Sequence, residues 1–278
     1  MSWESLAGDA VDLAPSPSES DRFGVTMARL TVGAVADPHG RAPALAAALA
    51  GSEADVVVVR HPAAAGDCAA ALAASDRDVL PAGALVYWEL LPARRRPPTR
   101  TADLVVVAAG EPGAPEDLGG TVEDVVRASF TGYANHYTVD PLLDDDAALA
   151  GYVEWARRAT TGSPAVPDAR AVGTLVLVHA GSPVGVATTS VGADDDDAHH
   201  VEVLLAGLGA PWQGRGWYPV LLDAVAERAL EAGARRVVIS TQVHNVRVQR
   251  AWARLGLEPF AAVETVHAVR RGLLAGRR

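Results

Sequence analysis

The chain contains no lysine: its 24 basic residues are all arginine and face 34 aspartates and glutamates, for a formal net charge of −10. A general binder of nucleic acid or of an anionic membrane needs a basic surface, so neither partner is expected. One basic pocket for a phosphate stays compatible with that balance. Cysteine is nearly absent. Cys68 stands alone in an alanine-rich helical stretch, which excludes a disulfide framework and a cysteine-rich metal centre. A lone cysteine there fits a small core side chain. No apolar run reaches the roughly 18 residues of a membrane span. The start, MSWESLAGDAVDLAPSPSESDRF, lacks the basic-then-apolar order of a secretory signal. A soluble bacterial protein of the cytoplasm is the expectation. Phenylalanine is scarce, so valine, leucine and alanine supply most of the 49% apolar content. The 278 residues are comfortable for two domains.

What is present alternates. Strand-like runs at 25–34, 54–61 and 83–91 enclose helix-like runs at 40–52 and 65–75, and residues 10–22 read as a loop. This makes a small α/β domain over 1–98. PARRRPPTRT at 92–101, with three prolines and four arginines, reads as a solvated linker. A second domain over 99–278 starts with strand 102–109 and helices 115–130 and 142–160. Strands at 173–180 and 183–191 turn at Gly181-Ser182, and a third strand covers 200–208. Helix 217–232, strand 235–243, helix 246–256 closed by Gly256, and a hairpin over 257–270 complete it. Asp194–Asp197 reads as a solvated hairpin tip without the ligand spacing of a calcium loop. His199 and His200 point to opposite strand faces, which argues against a metal pair. No metal is expected.

Between the third strand and the next helix stands GAPWQGRGWYPV. A helix N-terminus offers unpaired N–H groups and the positive end of a dipole. Glycines let backbone N–H groups close around anionic oxygens. The stretch is therefore a credible diphosphate cradle. It is not a nucleotide-triphosphate loop, because no Gly-Lys-Ser/Thr follows, and it does not open a βαβ unit.

The order of strand, two helices, three antiparallel strands, glycine loop, helix, strand, Asn and helix resembles the GNAT N-acetyltransferases over about 102–270. The loop, Gln213-Gly214-Arg215-Gly216-Trp217-Tyr218, follows the family pattern except that Tyr218 replaces a small residue. NVRVQRAWARLGL follows the second pattern, an Asn, an aromatic two turns later and a Leu-Gly close. ISTQVHNVRVQRAW, SDRFGVTMARL and HYTVDPLLDDDAALAGYVEWA also resemble the two-domain sugar-nucleotide acetyltransferases of the TDP-fucosamine type. The implied fold is α/β (α+β): a mixed, mostly antiparallel twisted sheet with helices on both faces, preceded by a small α/β domain. The implied cosubstrate is acetyl-CoA and the implied partner a small-molecule amine. A homodimer is compatible with the resemblance.

By matching positions, the resemblance gives backbone pairing with the acyl carrier to Leu208 and Ala210. It gives the diphosphate to Gln213, Gly214, Arg215, Gly216 and Trp217, and the pantetheine arm to Asn245, which also sits where a helix N-cap belongs. At the position of the family's proton-donating tyrosine stands Trp252. An indole N–H donates a hydrogen bond but supplies no proton at useful pH. Tyr218 or a water in its place, an unassisted thiolate, or a merely packed Trp252 in a slow enzyme are all open. His200 and Glu202, on the strand that runs into the carrier gap, are base candidates, with an exposed strand charge the plainer reading of Glu202. Tyr133, His136 and Tyr137 lie where the family shapes the acceptor pocket; Trp155 with Tyr152 reads as the apolar face of a helix. The acceptor is an amino sugar, nucleotide-linked as in a TDP-4-amino-4,6-dideoxyhexose, or else an aminoglycoside or another natural-product amine. A non-catalytic acyl-CoA sensor is the remaining alternative.

Overall fold

The computed structural model describes residues 3–99, 103–161, 173–194 and 198–275. The chain divides into two compact units that interleave in sequence. The first holds Met1–Val86, Ala134–Ala148 and Ala261–Arg278, and the second holds Tyr87–Tyr133 and Leu149–Phe260. The division at 98/99 expected from the arginine–proline stretch is sequential, whereas the compact units exchange segments.

Helix α1 (Glu4–Ala7) is followed in the first unit by β1 (Val11–Pro15), α2 (Pro17–Phe23), β2 (Met27–Val32), α3 (Arg41–Gly51), β3 (Val56–Pro62), α4 (Gly66–Ala73) and β4 (Arg77–Leu90). The strand order here is β1-β2-β3-β10-β4, with β10 spanning Glu258–Arg270. Strands β4 and β10 supply residues to both units. Residues 10–22 are not the expected loop. Val11 and Leu13 pack on the core, Pro17 opens α2, and Gly24 at φ 67° stops it in the left-handed region. Nor do residues 257–270 form a hairpin. They lack a turn sequence, and β10 pairs with β3 without a break from Val263↔Pro62 to Val269↔Val56. Residues 134–148 join this unit because Tyr137, Leu142 and Leu143 pack with Met27, Val56, Val58 and Val269.

The second unit holds the end of β4, then β5 (Leu104–Ala108), α5 (Leu118–Phe130), α6 (Asp145–Thr161), most of which lies here, β6 (Leu175–His179), β7 (Ser182–Ala193), β8 (His199–Leu208), α7 (Tyr218–Glu231), β9 (Arg236–Gln242) and α8 (Val246–Leu255). Its strand order is β4-β9-β8-β7-β6-β5. Pairing is antiparallel from β5 to β8 and parallel between β8 and β9. Ala180 (φ 48°) and Gly181 (φ 79°) form the β6–β7 turn, the two left-handed residues a tight hairpin requires. Val122, Val125 and Val126 of α5 and Val153 and Ala156 of α6 cover Val176, Val186 and Leu205. Trp155 and Tyr152 join that face, as their spacing predicts.

Two charged stretches are built into the unit. The arginine–proline stretch is not a solvated connector: Arg95 reaches the buried Asp223 at 3.0 Å and Glu227 at 3.1 Å on α7, and the Arg96 N–H donates to the Leu255 carbonyl. Asp194 is not part of a solvated tip. It binds Arg236 at 2.7 Å and the Nδ1 of buried His200 at 2.9 Å, while Arg236 also reaches Glu89 at 2.9 Å. The Arg236 guanidinium and the His200 ring hold the Asp194 carboxyl below the usual carboxylate range against the opposing effect of its burial. Asp195–Asp197 lie outside the described residues.

Candidate active site

The two parallel strands of the second unit part company. Their ladder runs from His200↔Arg236 to Val203↔Ile239 and stops, although β8 continues to Leu208 and β9 to Gln242. The parting coincides with a β-bulge. Thr189 opposes Val203 and Thr188 opposes Leu205, so Leu204 is the extra residue. A bulge bends its strand and increases the local twist, which carries β8 away from β9 at this point. It also ends the simple alternation expected to align 200, 202 and 204.

Beyond the bulge the register with β7 is regular, and the Gly209 N–H donates to the Val184 carbonyl. Hydrogen-bonded pairs alternate along an antiparallel ladder. Leu205, Gly207 and Gly209 therefore turn their main-chain groups to β7, and Ala206 and Leu208 turn theirs to the side β9 has left. Leu208 stands at that edge, and its carbonyl lies 2.8 Å from the Ser129 hydroxyl and accepts from the Gln213 amide at 3.1 Å. Ala210 does not share the edge. Gly209 and Pro211 end the strand in a 3-10 turn over Ala210–Trp212, so Ala206 is the second edge residue. Sequence reading missed it because the end of the strand hides the phase of its alternation.

The loop that follows is exposed, with Gly214 at φ 81° and Gly216 at φ 78°. A side chain is strained in that backbone region, so these two glycines serve the turn. Trp217 is the N-cap residue of α7, with Pro219 in the first turn. The 14-residue helix α7 sets its N-terminal N–H groups beside the loop. The side chains of Gln213 and Arg215 do not line the loop openly. Gln213 turns back onto Leu208, and the Arg215 guanidinium lies 5.2 Å from the Trp212 ring centre and 5.3 Å from that of Trp217. Those indoles stack on each other at 5.5 Å and both meet the His179 ring. Trp212 and His179 had no distinguishing pattern in the sequence.

Past the end of β9, Asn245 occupies the N-cap position of α8, but its side chain makes no capping bond. Its amide donates to the Thr241 hydroxyl at 3.0 Å instead. Gln249 donates to the Val243 carbonyl at 2.8 Å. Trp252 of α8 is 1% exposed and meets Trp88 edge to face at 6.0 Å. Its indole N–H donates to the Tyr218 hydroxyl at 3.3 Å. Burial pushes the Tyr218 phenol above its ordinary range, Trp252 works the other way, and the nearby Tyr133 adds to the upward shift. The structure thus brings Tyr218 and Trp252 together.

Glu202 is buried at 4% exposure, one residue before the strands part, so the reading as an exposed strand charge is overturned. His200 is buried at the far end of the ladder and bound to Asp194. Tyr133 meets Phe130 at 5.2 Å, and Phe130 stacks on Tyr152 at 5.2 Å, an aromatic row on the second unit.

His136 and Tyr137 belong to the first unit and are committed there. The His136 Nδ1 lies 3.0 Å from the His267 Nε2, and the His267 Nδ1 lies 2.9 Å from Asp140. All three are buried. Burial holds His136 well below the usual imidazole range, helped by Arg60. The Tyr137 hydroxyl donates to Glu19 and accepts from Arg29 at 3.2 Å. Burial pushes that phenol up to about 12.

Residues 130–257 match the family described as the Acetyltransferase (GNAT) family. A spore coat polysaccharide biosynthesis protein, SpsD, of Bacillus subtilis (strain 168) is 30% identical over 146 residues, 52% of this chain and 44% of that protein. The aligned stretch thus spans less than half of that relative's length. A GCN5-related N-acetyltransferase from Sphaerobacter thermophilus aligns at 14% identity and a TM-score of 0.58 over 93% of this chain and 76% of its own. One from Kribbella flavida aligns at 16% identity and 0.56 over 87% and 81%. These two likenesses establish the fold.

Proposed function

We propose that this chain, whose residues 130–257 match the acetyltransferase (GNAT) family, is an acetyl-CoA-dependent N-acetyltransferase acting on the primary amine of an amino sugar. The observation that carries the reading is the parting of β8 from β9 immediately before a glycine loop and a helix N-terminus. A pantetheine arm has amide groups that need strand-like partners, and Ala206 lies on the edge of β8 that β9 has left, with Leu208 beside it, its carbonyl already held by Ser129 and Gln213. A diphosphate needs N–H groups and positive potential, and Gly214, Gly216, Trp217 and the start of α7 offer both. Arg215 adds a cation positioned over two indoles. Asn245 stands on the β9 side of the gap, fixed through Thr241.

Acyl transfer needs the attacking amine neutral. Glu202, buried beside the parting, is the group to accept its proton, directly or through water. Tyr133 and the aromatic row behind it offer a flat apolar face of the kind a pyranose ring covers. The relative in spore coat polysaccharide biosynthesis supports a sugar acceptor. A nucleotide-linked 4-amino-4,6-dideoxyhexose is the acceptor form we favour. Tyr137 and His136 are left out of the acceptor set, since their polar groups are engaged within the first unit.

Thiol release from acetyl-CoA, screened against TDP-amino sugars, aminoglycosides and simple amines, tests the reading beside a calorimetric titration of acetyl-CoA. Release with a TDP-amino sugar is expected. Release with an aminoglycoside alone would move the acceptor. Tight binding without release on any amine would make the chain a sensor, and absence of binding would refute the site itself.

A further inference from the structure

We infer that the proton donor to the departing CoA thiolate has moved from α8 to α7: Tyr218 supplies the proton, and Trp252 is the positioning residue that aims its hydroxyl. This rests on the acyl-transfer reading above. In open parallel sheets, ligands sit beyond the carboxyl ends of the strands. Strands β8 and β9 diverge at those ends, and α7 and α8 are the helices that follow them. Tyr218 is the first residue of α7 and Trp252 lies on α8. Their 3.3 Å bond therefore spans the two elements that continue the two parting strands.

The direction of that bond decides the chemistry. An indole N–H only donates, so the Tyr218 oxygen is the acceptor and its own proton must point elsewhere. Trp252 cannot rotate away easily. It is almost fully buried and fixed edge to face against Trp88. The arrangement holds a protonated phenol with its O–H turned off the indole and its oxygen ready to keep an N–H bond as negative charge develops. The raised titration of Tyr218 agrees with a donor that stays protonated throughout the neutral range. Its stabilisation as a phenolate falls to the Trp252 N–H, because burial opposes the charge.

The step balances without a further reactant. The amine nitrogen bonds to the thioester carbonyl carbon. The carbon–sulfur bond then breaks, its electron pair leaving on sulfur, and the Tyr218 proton passes to sulfur to give the free thiol. The amine sheds its proton to Glu202 or water, and solvent returns one to the phenolate. The net change is one proton moved from nitrogen to sulfur.

The test compares single-turnover rates of the full chain and its variants with acetyl-CoA and with acetyl-seleno-CoA, whose more acidic selenol leaves without a proton. Tyr218→Phe is expected to lose about 100-fold with acetyl-CoA, the scale of a positioned general acid, and only a few-fold with the selenium donor. Trp252→Phe, which removes the N–H and keeps an aromatic ring, is expected to show a smaller loss with the same selenium rescue. The double variant Tyr218→Phe/Trp252→Tyr, with a phenol back on α8, is expected to recover at least tenfold over Tyr218→Phe. Calorimetric binding of CoA reports whether each variant is folded. Equal loss with both donors, or none, overturns the relay. A wild-type chain that binds acetyl-CoA but transfers to no amine overturns the acyl-transfer reading first and the relay with it.

Discussion

Tyr137→Phe separates a structural tyrosine from an acceptor-binding one. The variant removes only the hydroxyl. The ring keeps its contacts with Phe23 at 5.2 Å and with the His136 ring at 3.9 Å, so no cavity opens. What is lost is a hydrogen bond donated to an ionised, buried carboxylate and one accepted from Arg29. Glu19 is 3% exposed, and despite that burial its bidentate Arg29 partner, with Ser16 and Tyr137, holds its carboxyl down at about 2. Set against an ordinary 4.5, that shift corresponds to about 3 kcal/mol of native-state stabilisation shared among the partners. A bond to a charged group is worth roughly 1.5 to 3 kcal/mol, so about 2 kcal/mol is the expected cost. At this chain size that lowers Tm by about 4 to 8 °C. The carboxylate's share is fully present above about pH 4.5 and disappears as pH falls through about 2. The wild-type and variant melting curves should therefore differ at pH 7 and converge in strong acid. Calorimetric melts read the stability and acetyl-transfer kinetics read the site. A rise of tenfold in the KM for the acceptor with an unchanged Tm would refute the reasoning and return Tyr137 to the acceptor pocket.

Three further outcomes follow from the geometry. Gly216→Ala meets no neighbour within 4 Å, so it adds only the strain of a side chain at φ +78°. That is about 1 to 2 kcal/mol; because the exposed loop relaxes in the free chain and a bound carrier holds the left-handed turn, it is expected as a roughly 5- to 30-fold loss in CoA affinity by calorimetry, and unchanged affinity would refute a carrier-ordered turn at Gly216. Glu202→Gln is nearly isosteric and should lower kcat/KM for the amine about 100-fold while CoA binding holds; loss of CoA binding instead would make Glu202 a structural group. The buried His136 resists protonation in the folded chain, whereas an unfolded histidine takes up a proton below about 6.5. Its depressed folded value means stability is kept above that pH and lost below it, so Tm should fall between pH 7 and 5. A His136→Gln variant, less stable at pH 7, should show a shallower fall, and an unchanged slope would exclude His136 as the cause.

The elements legible in the sequence were those with strong local signals. The strand, glycine loop and helix at 200–232 and the Gly256 stop all stand where patterns place them, because turn chemistry and periodicity act within a few residues. Non-local pairing was hidden. Residues 257–270 became one strand because β3 offered an unbroken partner. Asp194 became ion-paired because Arg236, distant in sequence, met it. Arg95 left the solvent for Asp223 for the same reason. Within the site, the glycines and Asn245 were visible as positions, but their use was not. A bulge at Leu204 set which carbonyls face the gap, and no residue type announces a bulge. Tyr218 read as a departure from a loop pattern and Trp252 as a departure from a helix pattern. Only their proximity, a 3.3 Å hydrogen bond, ties the two exceptions together.

The interleaving of the two units bears on inheritance. The chain passes between them at 86/87, 133/134, 148/149 and 260/261. A single recombination event at the arginine–proline stretch would not exchange whole modules. It would deprive Trp252 of Trp88 and Asp223 of Arg95, both of which lie upstream of it or within it. The first unit, in turn, would lose Asp140, His136 and His267 together. Viable descendants of such a chain must therefore trade both units as one piece, so the specificity of the acyl site and the makeup of the first unit are expected to be passed on together rather than reassorted.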